Sequence, residues 1–398
     1  MKKVVQFGAG NIGRGFLGQL FSESGYKVVF VEVKEEIVSL LNQRGCYKLK
    51  IVGDNPRDLI IKNVRAVNGK DKDKVAREIK TTNLLSSAVG AKNLSSVASL
   101  IAGGIIERAK NNIEKPINLI ICENLAKASK VFKDYLFKKI EKKYWSYMDS
   151  HLGLVESVIS RMVPVIPPQI RKREPTLVMA ESYNILPVDK KGFKGEIPRI
   201  KGMIPYDNLI AYEEQKLFTH NTAHAICAYL GYQKGYKYIW ESIEDKGIRD
   251  IVSRALMETG NALIKKHHFK SQEQRDLIDN IIQRFGNRAL GDTVARVGKD
   301  PIRKLSPGER LIGAANLVYE YGTVPENIAK GIVSALLFNE KEDEEAKKLT
   351  ILREKKGLNY ILRNICQIDP QGKLAQLIKK NLIQGGQQRG QVSTFDIS

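Results

Sequence analysis

Cysteine and long apolar runs are both scarce in this chain of 398 residues. The four cysteines are Cys46, Cys122, Cys227 and Cys366, and their wide spacing excludes the close pairs that are typical of zinc sites. No apolar run is long enough to span a bilayer, and the N-terminus enters a strand pattern without the layout of a signal peptide. These absences predict a cytoplasmic protein with reduced, mostly packed thiols and no membrane partner.

The charge is strongly unbalanced, with 65 Lys and Arg against 44 Asp and Glu, which gives a formal net charge of +21. Such an excess is found in proteins that bind nucleic acids. Here, however, the cations are scattered along helical segments and do not form a tail or an aromatic-rich platform. A surplus of surface lysine and an attraction for small anions both explain the charge, so it does not identify a partner by itself.

The start of the chain combines a strand, a glycine-rich turn, a helix and a second strand. Lys3–Phe7 is a short apolar run that suits a buried parallel strand. The turn Gly8-Ala9-Gly10-Asn11-Ile12-Gly13 follows at once, an amphipathic helix extends to about Ser24, and Gly25 ends it. Lys27–Val33 is the second strand. A Gly-x-Gly-x-x-Gly motif in this context predicts a dinucleotide-binding unit.

Each glycine of the turn has its own role in such a unit. Gly8 permits the tight turn, Gly10 lets the backbone approach a pyrophosphate, and Gly13 lets the helix pack close to the strand. The free N–H groups of the helix N-terminus face the phosphates. Glu32 is placed to bind a ribose 2′-hydroxyl and to repel a 2′-phosphate, which favours NAD over NADP. The predicted NAD-binding residues are Phe7, Gly8, Ala9, Gly10, Asn11, Ile12, Gly13, Arg14, Glu32, Val89 and Gly90.

Two later strands end in residues that suit the same site. Leu84–Val89 is an apolar strand that ends at Gly90, and Ile117–Cys122 is another that ends at Glu123-Asn124. Ligands of open parallel sheets lie at the carboxyl ends of the strands, which places Gly90 and Asn124 near the cofactor. A simple turn or a helix cap is the alternative role for Asn124.

The whole pattern predicts an α/β fold, a Rossmann-type nucleotide-binding domain followed by a mainly α-helical C-terminal domain. Tyr47–Val67 is predicted as a β insertion, and Arg171–Arg173 as a basic loop between the strand-like runs Gly153–Pro164 and Thr176–Val188. Recurrent Pro and Gly residues place the boundary between domains 1–200 and 201–384, and residues 385–398 are expected to be a frayed polar tail. The helices predicted in the second domain are Ile243–Lys265, Gln272–Phe285, Pro307–Tyr319, Pro325–Phe338 and Glu344–Glu354.

The segment Lys216–His224 places three polar functional groups within nine residues. If it is α-helical, Asn221 lies roughly 140° and His224 roughly 80° from Lys216 around the helix, on a broad face that Glu213 shares. An amine, an amide and an imidazole on one face suit proton transfer beside a developing oxyanion. The alternative is an amphipathic helix whose polar side chains point into water.

Three chemistries compete for this segment. His220 and His224 have the i, i+4 spacing of a zinc site, but no third ligand is suggested. Tyr212 and Lys216 have the Tyr-x-x-x-Lys spacing of short-chain dehydrogenases, but they lie outside the nucleotide-binding half. The third is Lys216 as a general base: a free lysine has a pKa of about 10.4, and burial in a closed cleft is expected to lower it.

The motifs Gly8–Gly15, Cys122-Glu123-Asn124 and Lys216-x4-Asn221-x2-His224, with similarity continuing through Arg296–Gly298 and Arg303–Ile312, resemble the polyol-specific long-chain dehydrogenases of the mannitol dehydrogenase family. The resemblance covers nearly the whole chain. It implies a metal-independent oxidoreductase that uses NAD to interconvert D-mannitol 1-phosphate and D-fructose 6-phosphate. The implied partner is therefore a small sugar or polyol phosphate.

The resemblance also implies a role for each motif residue. Lys216 would be the general base on the alcohol and the acid in the reverse direction. Asn124 and Asn221 would donate hydrogen bonds to the alkoxide, and His224 would orient the substrate oxygen. Glu213 matches the family glutamate that is associated with proton exchange with solvent.

The sequence departs from the family at Ser160, where an aspartate usually precedes the arginine. The missing carboxylate removes one partner for a sugar hydroxyl and leaves the exact polyol open. An unphosphorylated polyol or a hexuronate is the alternative substrate, and a dinucleotide-sensing or nucleic-acid-binding protein is the alternative of another class. We expect no nucleic-acid partner and a monomer or homodimer, while the role of His220 stays open.

A sugar phosphate requires cations, and the second domain has a group of them. One or two of this group are expected to reach the phosphate, and pairing with Asp292, Asp300 and Glu309 is the alternative. The candidates are Arg288, Arg296, Arg303, Lys304 and Arg310.

Overall fold

The computed structural model describes residues 2–53, 55–125 and 127–387. It divides into two compact units, of which unit 1 is Met1–Tyr212 and unit 2 is Glu213–Ser398. We propose that the functional domains divide at residues 200/201, as the sequence predicts. Of the predicted tail, residues 388–398 lie outside the described residues, whereas the backbone of residues 385–387 belongs to the last helix.

Unit 1 is built on a parallel sheet, as the apolar runs predict. Over its described residues the sheet has six strands in the order β5-β2-β1-β6-β7-β8. The strands of the unit are Lys3–Phe7 (β1), Lys27–Glu32 (β2), Cys46–Ile51 (β3), Arg57–Lys62 (β4), Val64–Asn68 (β5), Leu84–Ser87 (β6), Ile117–Ile121 (β7), Leu152–Glu156 (β8), Val178–Ala180 (β9), Leu186–Asp189 (β10) and Met203–Tyr206 (β11).

Successive side chains of each strand point to opposite faces of this sheet, and they are buried on both faces. Val4 and Val28 belong to one buried cluster and Val5 and Val29 to another. The helices of the unit, with the helix that spans the unit boundary, are Gly18–Glu23 (α1), Glu35–Arg44 (α2), Lys72–Lys80 (α3), Leu94–Lys110 (α4), Ala128–Lys139 (α5), Trp145–His151 (α6), Pro168–Arg173 (α7) and Leu209–Lys216 (α8).

Several sequence predictions for unit 1 are wrong in detail. The β insertion is smaller than Tyr47–Val67, because β3 and β4 form an antiparallel hairpin whereas β5 pairs with β2 in the main sheet. The strand expected over Gly153–Pro164 ends at Glu156, and the run Thr176–Val188 contains the separate strand β9 and most of β10. The predicted loop Arg171–Arg173 lies in α7, where Pro168 at the first turn supplies a φ that favours a helix.

Unit 2 is helical, as predicted. Its helices are Thr222–Gln233 (α9), Ile239–Glu244 (α10), Lys246–His267 (α11), Ser271–Phe285 (α12), Val294–Gly298 (α13), Pro301–Lys304 (α14), Ile312–Glu320 (α15), Glu326–Leu336 (α16), Glu344–Asn364 (α17, interrupted at Gly357) and Lys373–Gln387 (α18). The predicted helices are present with shifted ends, and α17 is longer than expected. The sequence analysis missed α18.

Helix α9 lies in the core of unit 2. Ile226, Cys227 and Tyr229 are fully buried, and α16 approaches closely because a Cβ at Gly331 would lie 2.5 Å from Ile226 Cγ1. The α/β fold class with a helical C-terminal part is thus confirmed. Among the described helices, none is both long and apolar enough to cross a membrane.

Candidate active site

The glycine-rich turn has no room for a Cβ atom at two of its glycines, but it has room at a third. Gly8 has a φ of +88°, and a Cβ there would lie 2.5 Å from Ala88 O. A Cβ on Gly13 would lie 2.0 Å from Gly8 O. At Gly10, by contrast, a Cβ would meet no atom of the described residues within 4 Å. The turn therefore leaves room at Gly10 for a pyrophosphate to approach the backbone.

The helix after the turn begins in an unexpected form. Gly13–Leu17 is a π-helix, and the α-helical part starts only at Gly18. The Arg14 guanidinium is buried and donates to Ala9 O and Thr176 O, both at 2.5 Å. As placed, Arg14 holds the turn through Ala9. Of the other predicted residues, Phe7 and Ala9 are buried, and Asn11 and Ile12 are half-buried.

Glu32 lies at the end of β2 and contacts the turn directly. Its carboxylate accepts a hydrogen bond from Ala9 N at 3.1 Å and another from Val33 N at 2.8 Å. A carboxylate beside the turn, space at Gly10 and the close approach of Gly13 to Gly8 together fit a dinucleotide.

The ends of β6 and β7 are joined by a carboxylate to which the sequence analysis gave no role. Glu123 is 8% exposed and accepts hydrogen bonds from Val89 N at 2.9 Å and Gly90 N at 2.8 Å. Burial raises its pKa. The next residue, Asn124, is exposed. The motif Cys122-Glu123-Asn124 is visible in the sequence. The hydrogen bond between Glu123 and Gly90 could not be predicted from it, because this contact requires β6 and β7 to be neighbours in the sheet.

The lysine–asparagine–histidine segment is not one continuous α-helix. Helix α8 ends at Lys216, Leu217–Asn221 is a π-helix, and α9 begins at Thr222. The angles expected from 100° per residue therefore do not hold, because i→i+5 hydrogen bonds widen the turn. Thr222 Oγ1 donates to Leu217 O at 3.0 Å and to Arg310 O at 2.6 Å, which fixes the segment to the loop before α15.

The expected low pKa of Lys216 is found. Burial lowers it to about 8, and the positive charges of Arg310 and Arg284 add to this effect, while Glu213 opposes it. Lys216 is half-buried, as are Glu213 and Asn221. The amine is therefore partly neutral near physiological pH.

His220 and His224 pack around one aromatic ring. The ring centroid of Phe285 lies 5.3 Å from that of His220 and 4.8 Å from that of His224. Burial lowers the pKa of His220 well below its ordinary value and that of His224 to about 3, and Arg284 lowers both further. Both imidazoles are therefore neutral at pH 7.

Two nitrogens of these rings are buried without a hydrogen bond among the described residues. They are His220 Nδ1 and His224 Nε2. The latter lies 3.3 Å from Asp292 Oδ2 but lacks hydrogen-bond geometry. Over residues 2–53, 55–125 and 127–387, no group of three or more His, Cys, Asp or Glu side chains could hold a metal ion.

The predicted phosphate-binding cations are mostly paired with carboxylates. Arg288 is exposed and forms a forked pair with Glu244. The pairings named as the alternative are present: Arg296 contacts Asp292, Arg303 contacts Asp300 and Glu309, and Arg310 contacts Glu309. Lys304 is buried, and its ammonium donates to Lys299 O. Burial lowers the pKa of Lys304 to about 7.

The sequence analysis did not name Arg284, which lowers the pKa of Lys216. Arg284 lies in the last turn of α12, where a cation near the helix C-terminus is unremarkable. Only the packing of Phe285 against both histidines shows that this turn faces the Lys216 segment.

The chain matches known families and proteins along its length. A family model described as the mannitol dehydrogenase Rossmann domain matches residues 2–202, and one for the mannitol dehydrogenase C-terminal domain matches residues 208–384. A mannitol-1-phosphate 5-dehydrogenase of Buchnera aphidicola subsp. Acyrthosiphon pisum (strain APS) is 38% identical over 96% of this chain and 98% of its own length. One of Geobacillus stearothermophilus is 39% identical over 94% of this chain and 97% of its own length.

Solved structures share the fold at low sequence identity. The ternary complex of Pseudomonas fluorescens mannitol 2-dehydrogenase with NAD and D-mannitol has a TM-score of 0.72 at 15% identity, covering 98% of this chain and 92% of that one. A substrate-free D-sorbitol dehydrogenase has a TM-score of 0.79 at 14% identity, covering 97% of this chain and 93% of that one.

Proposed function

The chain belongs to the mannitol dehydrogenase family, and from this premise we propose that it interconverts D-mannitol 1-phosphate and D-fructose 6-phosphate with NAD. The relatives named mannitol-1-phosphate 5-dehydrogenase support this pair of substrates, because they match almost from end to end.

The observation that carries the proposal is the setting of Lys216. Lys216 is half-buried, burial and two arginines lower its pKa to about 8, and the neighbouring imidazoles are neutral. A general base works best when its pKa is close to the working pH. Lys216 meets this condition in a chain whose other unit carries a dinucleotide-binding turn.

We assign NAD rather than NADP because the carboxylate of Glu32 contacts the turn at Ala9 N. A 2′-phosphate would bring negative charge beside this carboxylate, whereas a 2′-hydroxyl can donate to it. When bound, NAD would supply the acceptor for a hydride from the alcohol carbon. Gly8, Gly10 and Gly13 would hold its pyrophosphate, and Val89 and Gly90 would line the adjacent strand end.

The polar residues of unit 2 transfer the hydroxyl proton of the substrate and stabilise its oxygen. Lys216 takes the hydroxyl proton when the alcohol is oxidised and returns it when the ketone is reduced. The neutral amide of Asn221 donates to the oxygen as negative charge develops there, a contribution worth about 10²–10³-fold in rate for one such donor. His224 orients this oxygen, and Glu213 exchanges the proton with solvent. Asn124 keeps its predicted role as a further amide donor.

The test is a substrate panel read at the absorbance band of the reduced nicotinamide. We expect rapid loss of this band with fructose 6-phosphate and NADH, slower loss with NADPH, and little with unphosphorylated fructose or hexuronates. Equal rates with fructose and its 6-phosphate would contradict the phosphorylated substrate. Salt-sensitive DNA binding without turnover would instead support the protein of another class.

A single variant tests the assignment of the base. Lys216→Ala should abolish turnover, because no other group then takes the hydroxyl proton, while NADH binding measured by fluorescence stays nearly unchanged. Glu214→Ala is the matched control, since Glu214 lies in the same helix but pairs with Lys266 and His267. Near-normal kcat in Lys216→Ala would overturn the assignment.

A further inference from the structure

The helix between Lys216 and Thr222 contains one widened turn. The backbone N–H of Thr222 donates to Leu217 O, five residues earlier, and Leu217–Asn221 is the π-helix. In an α-helix, residues five apart point about 140° away from each other. A turn closed by i→i+5 bonds holds one more residue, so residues five apart come close to the same side. Lys216 and Asn221 are five apart, and the widened turn therefore brings the amine and the amide to one side of the helix.

The hydroxyl of Thr222 fixes the end of this π-helix. Thr222 is 1% exposed, and its Oγ1 lies 3.0 Å from Leu217 O and 2.6 Å from Arg310 O. The first carbonyl belongs to the widened turn and the second to the loop before α15. A hydroxyl has one proton, and the shorter distance shows that the stronger of the two hydrogen bonds goes to the loop. The side chain of Thr222 therefore connects the widened turn to a separate part of unit 2.

The same loop contacts the widened turn at a second point. Phe218 is buried in the core of unit 2, and a Cβ at Gly313 would lie 3.0 Å from Phe218 Cε1 and 3.0 Å from Pro307 O. A glycine at this position lets the start of α15 approach the phenyl ring. The widened turn is thus held against residues 307–313 by a hydrogen bond from Thr222 and by close packing of Phe218.

The other threonine of the widened turn makes a local contact instead. Thr219 is buried, and its hydroxyl donates to Gln215 O at 2.5 Å, one turn earlier in the same helix. Such a bond to the carbonyl four residues back is common for threonine in helices. The hydrogen bond of Thr222 to Arg310 O spans 88 residues of the chain and sets the position of the turn within the fold.

We propose that Thr222 is a positioning residue, whose hydroxyl holds the π-helix against the carbonyl of Arg310 and so keeps the amide of Asn221 on the side of the Lys216 amine. The inference rests on the proposed function, because it concerns how Asn221 meets the substrate oxygen. Without this hydrogen bond the turn can relax towards α-helical geometry, which rotates Asn221 about 140° away from Lys216. Thr222 itself donates to carbonyls of the protein and takes no part in the proton transfer.

The first measurement is kcat for fructose 6-phosphate with NADH in variants of Thr222. Thr222→Val replaces the hydroxyl by a methyl group of similar size and should lower kcat about 10- to 100-fold, because a displacement of about 1 Å at a reacting group has effects of this size. The KM for NADH should stay nearly unchanged. Thr222→Ser keeps the hydroxyl and should restore most of the rate.

Thr259→Val is the matched control. Thr259 is fully buried in unit 2, and its hydroxyl donates to Ala255 O and Leu256 O of its own helix, both at 3.3 Å. This variant loses a buried hydroxyl of the same kind without releasing the π-helix, so its kcat should be that of the wild type.

A double-mutant cycle separates positioning from a purely structural role. Thr222→Val is introduced into the wild type and into Asn221→Ala, and kcat is compared in the two backgrounds. If the hydroxyl acts through the amide of Asn221, its removal should cost little once that amide is absent. A structural role independent of Asn221 would cost the same factor in both backgrounds, because independent effects add as free energies.

Each result decides for or against the positioning role. Equal losses in the two backgrounds, wild-type kcat in Thr222→Val, or a Thr222→Ser variant as slow as Thr222→Val would overturn it. Should Thr222→Val fail to fold, Thr222→Ala removes the same hydroxyl and takes its place in the cycle. A wild type that does not reduce fructose 6-phosphate would refute the proposed function instead, and the cycle is then measured with the ketose or polyol that the enzyme does use.

Discussion

The ionisation of Lys216 can be shifted in either direction by changing one neighbouring charge. Arg310 and Arg284 lower its pKa, and Glu213 raises it. We therefore expect Arg310→Gln to raise the pKa of the amine and Glu213→Gln to lower it. With Lys216 as the proposed base, oxidation of the alcohol requires the neutral amine, so the rate of oxidation should rise with pH through the pKa of Lys216 and then level off. Reduction requires the ammonium and should show the opposite dependence.

The magnitude follows from the pKa of about 8, against an ordinary value of 10.5. At pH 7 about one-tenth of the amines are neutral, whereas at the ordinary value only about three in ten thousand would be. The environment of Lys216 thus increases the neutral fraction of its amine at pH 7 about 300-fold. Losing one nearby charge is worth about 0.5 to 1 pKa unit at the effective dielectric of a protein surface.

The assay is the pH dependence of kcat/KM for mannitol 1-phosphate oxidation. The wild type should show a rising limb with an apparent pKa near 8, Arg310→Gln a limb at higher pH, and Glu213→Gln a limb at lower pH. Glu214→Gln is the control, because its carboxylate pairs with Lys266 and His267. A limb that stays fixed in all variants would show that a group other than Lys216 is titrating.

Unit 1 allows two further predictions. Gly13→Ala should lower the free energy of unfolding by about 1–3 kcal/mol, because its Cβ would lie 2.0 Å from Gly8 O, whereas Gly10→Ala should fold normally and weaken NADH binding in a fluorescence titration. Equal effects of the two changes on folding would contradict this account of the turn. Glu123→Gln should cost about 1–3 kcal/mol and also weaken NADH binding, because its amide cannot accept from both Val89 N and Gly90 N; unchanged denaturant unfolding would refute this.

The fold of unit 1 could be predicted where local chemistry decides the structure. The spacing of the glycines in Gly8–Gly13 is visible in the sequence, and β1 and β2 each contain a short apolar run, Val4-Val5 and Val28–Val31. The limits of the insertion could not be predicted in this way. Val64–Asn68 alternates like the hairpin before it, and only its parallel pairing with β2 places it in the main sheet.

The candidate site was predictable in its residue types but not in its geometry. The motif from Lys216 to His224 identifies an amine, an amide and an imidazole, yet a π-helix leaves no mark in hydrophobic periodicity. The effect of Arg284 on the pKa of Lys216 could not be predicted from the sequence, because it depends on how α12 packs in the folded chain. For the cations from Arg288 to Arg310, the sequence was compatible with both carboxylate pairing and phosphate binding. The distances between the side chains show that most of these cations are paired with carboxylates.

Charges of opposite sign near Lys216 have opposite effects on the pKa of its amine. Arg284 and Arg310 lower the pKa of the amine and so increase the supply of neutral base. A negatively charged substrate bound near the amine, as the proposed function requires, would raise that pKa again. Burial, the largest cause of the low pKa of Lys216, does not depend on these charges. Because burial persists when an anion binds, the amine can remain a base in the complex. Desolvation alone therefore keeps part of the Lys216 amine neutral, as the proposed proton transfer requires.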